Sequence, residues 1–127
     1  MESADGNPNP ILIKSEDFAV RIVKLARYLQ RKQHEYEMSK QIKRSGTSIG
    51  ANIIEAHSGS SKRDFLAKLY IAFKECNETR YWLRVLRRTD YLQEMEFRSI
   101  YTDAEELSKL LNAIIRTTKA NIARDES

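Results

Sequence analysis

The sequence has few of the residues that form turns, crosslinks or metal sites. Four glycines and two prolines in 127 residues are few for a protein built from many short strands and turns. A single cysteine, Cys76, excludes an internal disulfide framework and a zinc site built from several cysteines. No apolar run approaches the roughly 18 residues of a membrane-spanning helix. Residues 1–14 contain no apolar h-region, so we predict no secretory signal and a reducing, cytoplasmic setting.

Charged side chains are plentiful but unevenly distributed along the chain. They make up 31% of the residues, and the mean hydropathy is −0.60, as in a soluble protein. Residues 61–90 carry a net charge of +4 and residues 91–127 a net charge of −2. A basic middle beside an acidic C-terminal third permits a polyanion partner or self-association of complementary surfaces. Solvated helix faces without any partner fit the same composition.

Hydrophobic periodicity predicts four amphipathic helices joined by short connections. Apolar residues recur at intervals of three and four, and no segment shows the alternation of a strand. The predicted helices cover residues 15–32, 38–56, 62–89 and about 93–123. The simplest fold is an all-α, antiparallel up-down-up-down four-helix bundle. Residues 1–14 are predicted to be a flexible arm and residues 124–127 a C-terminal tail.

Polar residues mark the predicted helix ends. Ser15 is positioned to cap the first helix, and Ser61 with Asp64 resembles a capping box at the start of the third. Gly59 stands where the second helix needs a left-handed cap. The first connection, residues 33–37, contains neither glycine nor proline.

The third helix carries more apolar surface than one bundle can bury. Leu69, Phe73, Cys76 and Leu83 form one stripe, which a helix in a bundle normally buries. A second sector holds Ile71, Trp82 and Val85, with Tyr70 and Tyr81 in a third. An uncovered stripe of this kind is an aggregation hazard, so we predict a homo-oligomer interface. The alternative is a scatter of surface aromatic residues, which is common in monomers.

Two glycines on the second helix support the same interpretation. Gly46 and Gly50 lie four residues apart among small side chains, and each costs roughly 1 kcal/mol relative to alanine inside a helix. Small residues at this spacing let another backbone approach closely. A kinked or frayed helix start is the alternative.

The search for catalytic chemistry gives mostly exclusions. A di-iron bundle needs two Glu-x-x-His motifs, whereas His57 follows Glu55 by two residues and His34 has no such glutamate. The chain has no phosphate-binding loop and no defensible Ser-His-Asp set. Cys76 lies in an apolar stripe, as an inert core thiol does. We therefore predict no enzyme activity, no metal and no cofactor.

One polar constellation points inward on the second and third helices. It comprises Asn52, Glu55, Glu78, Arg80 and Tyr81. A buried carboxylate needs a partner, and a Glu55–Arg80 pair would supply one. We predict a structural network that fixes helix register, or an interface, in preference to a catalytic group.

A second constellation is basic. Four arginines span roughly 100° of the third helix, and three cations on the second helix add to them. The predicted nucleic-acid-binding set is Arg80, Arg84, Arg87, Arg88, Lys40, Lys43 and Arg44. Lys24, Arg27 and Arg31 add charge on the first helix, and Tyr81, Trp82 and Tyr91 could stack on bases. The alternative is an exposed face that forms ion pairs with the acidic fourth helix.

The segment Arg-Ser-Gly-Thr-Ser-Ile-Gly-Ala-Asn-Ile-Ile-Glu-Ala, residues 44–56, resembles the signature of a known family. Asp64-Phe65, Lys74-Glu75 and the run at residues 78–83 continue the match, which spans about residues 15–123. The family comprises the four-helix-bundle proteins encoded in intervening sequences of bacterial 23S ribosomal RNA genes, often labelled ribosomal proteins. Gly50 stands where many members have proline, and Ala56 where many have glycine.

The resemblance implies an antiparallel four-helix bundle that assembles as a homopentamer. Similar accessory proteins of diversity-generating retroelements use a basic surface to engage nucleic acid and a reverse transcriptase, but nothing in this chain identifies a reverse-transcriptase contact. We expect a cytoplasmic, non-catalytic homo-oligomer that binds structured RNA or another nucleic acid. The rival expectation is a protein-interaction scaffold with a protein partner and no role with nucleic acid.

Overall fold

Four helices form the fold. The structure, a computed structural model, describes residues 9–126. The helices in that range are α1 (Pro10–Lys32), α2 (Glu37–His57), α3 (Lys62–Arg88) and α4 (Glu94–Glu126), and no strand occurs among the described residues. Each helix packs on its neighbours in the chain and α4 packs on α1, whereas the two diagonal pairs do not meet. The predicted four-helix bundle is confirmed, and its helices follow one another around a square.

The first helix begins earlier than predicted. Asn9 is its N-cap, with the side-chain oxygen accepting a hydrogen bond from the Ile11 amide at 3.2 Å. Pro10 occupies the first helical position, where its missing N–H costs nothing. Ser15 is therefore not a cap but a buried residue inside α1, and its hydroxyl donates to the Leu12 carbonyl.

The predicted terminal segments need the same correction. Residues 9–14, assigned to a flexible arm, belong to the N-cap and first turns of α1, while residues 1–8 lie outside the described range. At the other terminus α4 continues through residues 124–126, which were assigned to a tail, and Ser127 lies outside the described range.

Two turns use left-handed residues that are not glycine. His34 has φ 54° after α1, and Asp90 has φ 69° after α3. The Asp90 amide donates to the Arg87 carbonyl and the Tyr91 amide to the Leu86 carbonyl, the hydrogen bonds of a Schellman motif. Gly59 does not adopt the left-handed φ predicted for it.

The α3 N-terminus follows the prediction closely. The Ser61 hydroxyl oxygen accepts a hydrogen bond from the Asp64 amide at 3.1 Å, so the predicted cap is confirmed. A side-chain oxygen satisfies one of the four unpaired amides at a helix start, and Asp64 adds a charge that suits the positive end of the helix dipole.

Apolar residues from all four helices meet in one continuous core. The buried set is Ile11, Phe18, Ile22, Leu29, Ile42, Ile49, Ile53, Ala56, Leu69, Ala72, Cys76, Leu83, Leu86, Leu92, Ile100, Ala104, Leu107, Leu111 and Ile115. One polar pair lies inside it, where the hydroxyls of Ser45 on α2 and Thr79 on α3 are 2.9 Å apart. Buried hydroxyls that bond each other avoid the cost of unpaired polar atoms.

The seam between the first and last helices is tied by exposed ion pairs. Lys14 pairs with Glu106, and the Arg21 guanidinium lies 2.7 Å from an Asp103 carboxylate oxygen. Hydrogen bonding and charge attraction from Glu106 raise the pKa of the Lys14 ammonium above its usual value. Because all four side chains are exposed, these pairs orient the helices more than they stabilise them.

Candidate nucleic-acid interface

The α3 arginines lie against α4. The Arg80 guanidinium carbon sits 5.4 Å from the centre of the Tyr101 ring, in cation–π geometry. The Arg84 side chain donates to the Tyr101 hydroxyl at 2.8 Å, and Arg87 donates to the Leu92 carbonyl at 3.3 Å. These three arginines therefore have partners within the subunit, and they help to hold α4 and the α3–α4 turn.

The cations predicted on α2 divide between two sides of that helix. Arg44 forms ion pairs with Glu75 and Glu78 of α3, 3.1 Å from the Glu75 oxygen. Lys43 lies on the other side of α2, beside Arg27 and Arg31 of α1, around a shared concavity. Arg44 is thus committed to the α2–α3 seam, whereas Lys43 belongs to the α1–α2 seam.

The predicted basic set shares one end of the bundle but not one surface. The C-terminal halves of α1 and α3 and the N-terminal half of α2 all lie at the end that contains the α1–α2 and α3–α4 turns. At that end Arg84 faces α4, Arg44 faces α3, and Lys43 faces α1. Because α2 and α4 are diagonal helices that do not meet, these three side chains lie on three different sides. Arg88 and Lys40 are exposed on this same half.

The predicted inward polar network does not assemble. Glu55 is exposed and pairs with Lys68 at 2.9 Å instead of Arg80. Arg80 lies twelve residues beyond Lys68, about 18 Å further along α3 at 1.5 Å per residue. The Asn52 amide donates to the Ser48 carbonyl of its own helix. The Glu55–Arg80 prediction is therefore wrong, because the axial register of α2 against α3 separates the two side chains.

The other members of that network have separate roles. Glu78 forms the α2–α3 ion pair with Arg44. Tyr81 is 50% exposed and packs edge-on against Trp82, with 5.1 Å between the ring centres. A polar contact between α2 and α3 exists, as predicted, but it joins Arg44 to Glu78 and not Glu55 to Arg80.

The two glycines of α2 face α1 of the same subunit. A Cβ atom on Gly46 would lie 2.7 Å and 2.8 Å from the two γ-carbons of Ile22, and one on Gly50 would lie 3.3 Å from the Ser15 hydroxyl oxygen. Both glycines are buried. The predicted close helix approach exists, but within the subunit, so these two residues do not belong to the outward surface expected to meet a second copy.

The outer apolar sector of α3 lies where the sequence predicted it. Ile71 is 41% exposed, while Trp82 and Val85 are half-buried. The Trp82 indole Nε1 is buried and has no hydrogen-bond acceptor among the described residues. A buried donor without an acceptor costs free energy, and the Trp82 ring itself packs against the core of the subunit.

A separate apolar groove runs between α1 and α4. Its volume is about 560 Å³. The lining residues are Arg21, Lys24, Leu25, Tyr28, Leu92, Met95, Glu96, Ser99 and Ile100. Met95 at its edge is 85% exposed. No sequence motif predicts this groove, because it arises from the spacing of the two helices and not from a motif on either.

The described part of the chain contains one buried thiol and no cluster of metal-ligating side chains. Residues 9–126 contain no group of three or more histidine, cysteine or acidic side chains placed to hold a metal ion. Burial raises the pKa of the Cys76 thiol to about 11, and its sulfur donates to the Ala104 carbonyl at 3.3 Å. Within residues 9–126, no helix combines the length and apolar character needed to cross a bilayer.

Cys76 provides a direct test of this packing. With its pKa near 11 instead of 9.0, the folded thiol should hold about a hundredfold less thiolate at pH 8 than the unfolded chain, so iodoacetamide should label it correspondingly more slowly. The unfolded thiol ionises first, so stability should fall as the pH rises from about 9 towards 11. Equal labelling rates with and without denaturant would show that the thiol is not in the core.

The fold defines a class: a small antiparallel four-helix bundle with exposed cations at one end. The family follows from the comparison with known proteins. Residues 9–113 match the family described as 23S rRNA-intervening sequence protein, and the chain belongs to that family.

A solved structure supports this assignment. The chain is similar to a crystallised protein of unknown function from the S23 ribosomal protein family of Bacteroides thetaiotaomicron. The two share 54% sequence identity and a TM-score of 0.82, over 83% of this chain and 97% of the other. No match is found among curated proteins. Neither the family description nor the solved structure names an enzymatic activity.

Proposed function

We propose that the chain acts in the cytoplasm as a non-catalytic, homo-oligomeric protein that binds structured RNA or another nucleic acid. The observation that carries the proposal is a group of exposed basic side chains at one end of the bundle. Within residues 9–126 they have no hydrogen-bonded or ion-paired partner: Lys24, Arg27, Arg31, Lys32, Lys40, Lys43 and Arg88. Unpaired cations gathered at one end attract phosphates and release counterions on binding.

The apolar sector of α3 supports the oligomeric part of the proposal. Ile71 is 41% exposed on this sector, and Trp82 and Val85 of the same sector are half-buried. A second copy seated on this sector would cover its exposed apolar surface. The resemblance to the family makes a pentamer the expected assembly.

Binding through the α3 arginines has a direct test. Replacing Arg84 and Arg88 with alanine should lower the slope of log affinity against log salt for a labelled RNA hairpin by about two units, one per lost phosphate contact. Arg87 is retained because its bond to the Leu92 carbonyl holds the α3–α4 turn. Fluorescence anisotropy over a salt series measures the slope.

The matched control removes two cations from the exposed side of α4, with Lys109 and Arg116 changed to alanine. This control variant has the same net charge as the Arg84/Arg88 variant, and its salt slope should equal that of the wild-type chain. An unchanged salt slope in the Arg84/Arg88 variant would show that these two α3 arginines do not contact the RNA.

A protein-interaction scaffold is the second candidate, and the α1–α4 groove favours it. The groove is mainly apolar, and Met95 adds an adaptable exposed side chain at its edge. A stoichiometric protein partner that stays bound after nuclease treatment and at high salt would support this function. Loss of that partner on replacing Met95 with glutamate would place the contact in the groove.

A further inference from the structure

We propose that RNA phosphates bind in the seam between α1 and α2, at Arg27, Arg31 and Lys43, with a base stacked on Tyr36. This inference rests on the proposed function for the nature of the ligand, but it adds a second contact surface to that of the α3 arginines. Arg27, Arg31 and Tyr36 are residues that the predicted nucleic-acid-binding set does not contain.

The seam is concave and lined by cations. Its volume is about 210 Å³, and its lining is Val23, Ala26, Arg27, Gln30, Arg31 and Lys43. Ala26 is buried and small, so it leaves room between the two helices. The Gln30 amide donates to the Ser39 hydroxyl of α2 at 3.2 Å, which fixes the polar floor of the seam. Three cations from two helices therefore converge on one depression with a defined floor.

Availability distinguishes these cations from Arg44 and Arg84. Arg27, Arg31 and Lys43 are exposed, and within the described range none has a hydrogen-bonded or ion-paired partner. By contrast, Arg44 is held by two carboxylates and Arg84 by a phenol hydroxyl. A phosphate entering the seam displaces only water and counterions, whereas one that binds Arg44 competes with existing ion pairs.

The row of charge is long enough for a strand of several phosphates. Lys24 to Arg31 spans seven residues, about 10 Å along α1. Lys40 extends the charged surface on the neighbouring helix. A line of cations at helical spacing suits the backbone of a nucleic acid better than a single phosphate group, because each extra phosphate gains its own partner.

An exposed aromatic residue lies at the same end. Tyr36 is the N-cap residue of α2 and is 55% exposed, directly after the turn that follows Arg31 and Lys32. Aromatic rings beside a basic groove stack on unpaired bases, which a closed duplex does not present. The combination therefore favours RNA with a single-stranded segment.

The first experiment measures binding of the full chain to a fluorescein-labelled RNA hairpin with a single-stranded loop. Changing Arg27, Arg31 and Lys43 together to alanine should lower the salt slope by about three units. The matched control changes Lys109, Arg116 and Lys119 on α4 to alanine, with the same charge loss and no expected change in slope. Equal slopes for the two triple variants would overturn the assignment.

The second experiment tests the stacking residue. Tyr36→Leu should weaken hairpin binding about tenfold without changing the salt slope, because stacking does not depend on released ions. Tyr70→Leu is the control, since Tyr70 is 39% exposed on α3 near the opposite end of the bundle. Wild-type affinity in the Tyr36 variant would show that Tyr36 does not stack on a base of the RNA.

The outcomes separate this inference from the proposed function. If the wild-type chain binds the hairpin and the α1–α2 triple variant binds equally well, the assignment of phosphate binding to the seam is wrong, while the proposal that the protein binds RNA is retained. If the wild-type chain shows no salt-dependent binding to the hairpin, the proposed function itself fails. Binding to anionic lipid vesicles in place of RNA, lost in the same triple variant, would show that the seam serves a membrane surface and would overturn the inference.

Discussion

Gly46→Ala should destabilise the protein by about 1–3 kcal/mol, although alanine is normally the better helix former by roughly 1 kcal/mol. The new Cβ would lie within 3 Å of both γ-carbons of Ile22. Ile22 is fully buried and branched at Cβ, so it cannot rotate aside without disturbing the core. Chemical denaturation at a fixed protein concentration measures the free energy of unfolding.

Gly50→Ala provides the matched control on the same helix. Its nearest neighbours are atoms of Ser15 at 3.3–3.5 Å, so the gain in helix propensity should bring the variant to within about 1 kcal/mol of wild type. Ile22→Ala combined with Gly46→Ala should destabilise the protein by less than the sum of the two single changes, which a double-mutant cycle would reveal. If Gly46→Ala were as stable as Gly50→Ala, α1 and α2 would not pack as closely as the structure shows.

The proposed assembly depends on the apolar sector of α3. Changing Ile71 to glutamate should convert the proposed oligomer to a particle of 14.8 kDa, because this exposed side chain would place charge on the apolar sector of α3. Light scattering after size-exclusion chromatography measures the mass. Trp82 is the single tryptophan, so its fluorescence should shift to longer wavelength when the sector becomes exposed to water.

The control places one glutamate on another face. Val20 on α1 is 48% exposed, and Val20→Glu should leave both the mass and the Trp82 emission unchanged. A wild-type chain that runs at 14.8 kDa at micromolar dilution would contradict the oligomer. Dissociation by Val20→Glu instead would place the interface on α1.

The helices themselves could be predicted because their determinants are local. The Ser61 cap, the spacing of apolar residues and the sparse glycines are all visible in one segment at a time. The start of α1 could also have been found from Asn9 followed by Pro10, a capping residue before proline at the first helical position. Left-handed His34 and Asp90 could not, since nothing in their side chains demands that conformation.

The polar site could be predicted only in part, because it depends on how helices are arranged around the bundle. A helical wheel gives the angle of Glu55 and Arg80 but not their relative height, which the register of α2 against α3 sets. The wheel likewise does not tell which helix lies beside Lys43 or Arg84. Basic residues on two helices can share an end of the molecule and still face away from each other.

The even number of helices has a practical consequence for studying this protein. Asn9 at the start of α1 lies beside His57, and Glu126 near the end of α4 pairs with Arg63. Both ends of the described range therefore lie next to the α2–α3 turn, at the pole of the molecule opposite Tyr36. A dye or surface tether attached at Asn9 or at Glu126 would leave the positively charged pole open to solution, and the two attachments should behave alike in binding assays.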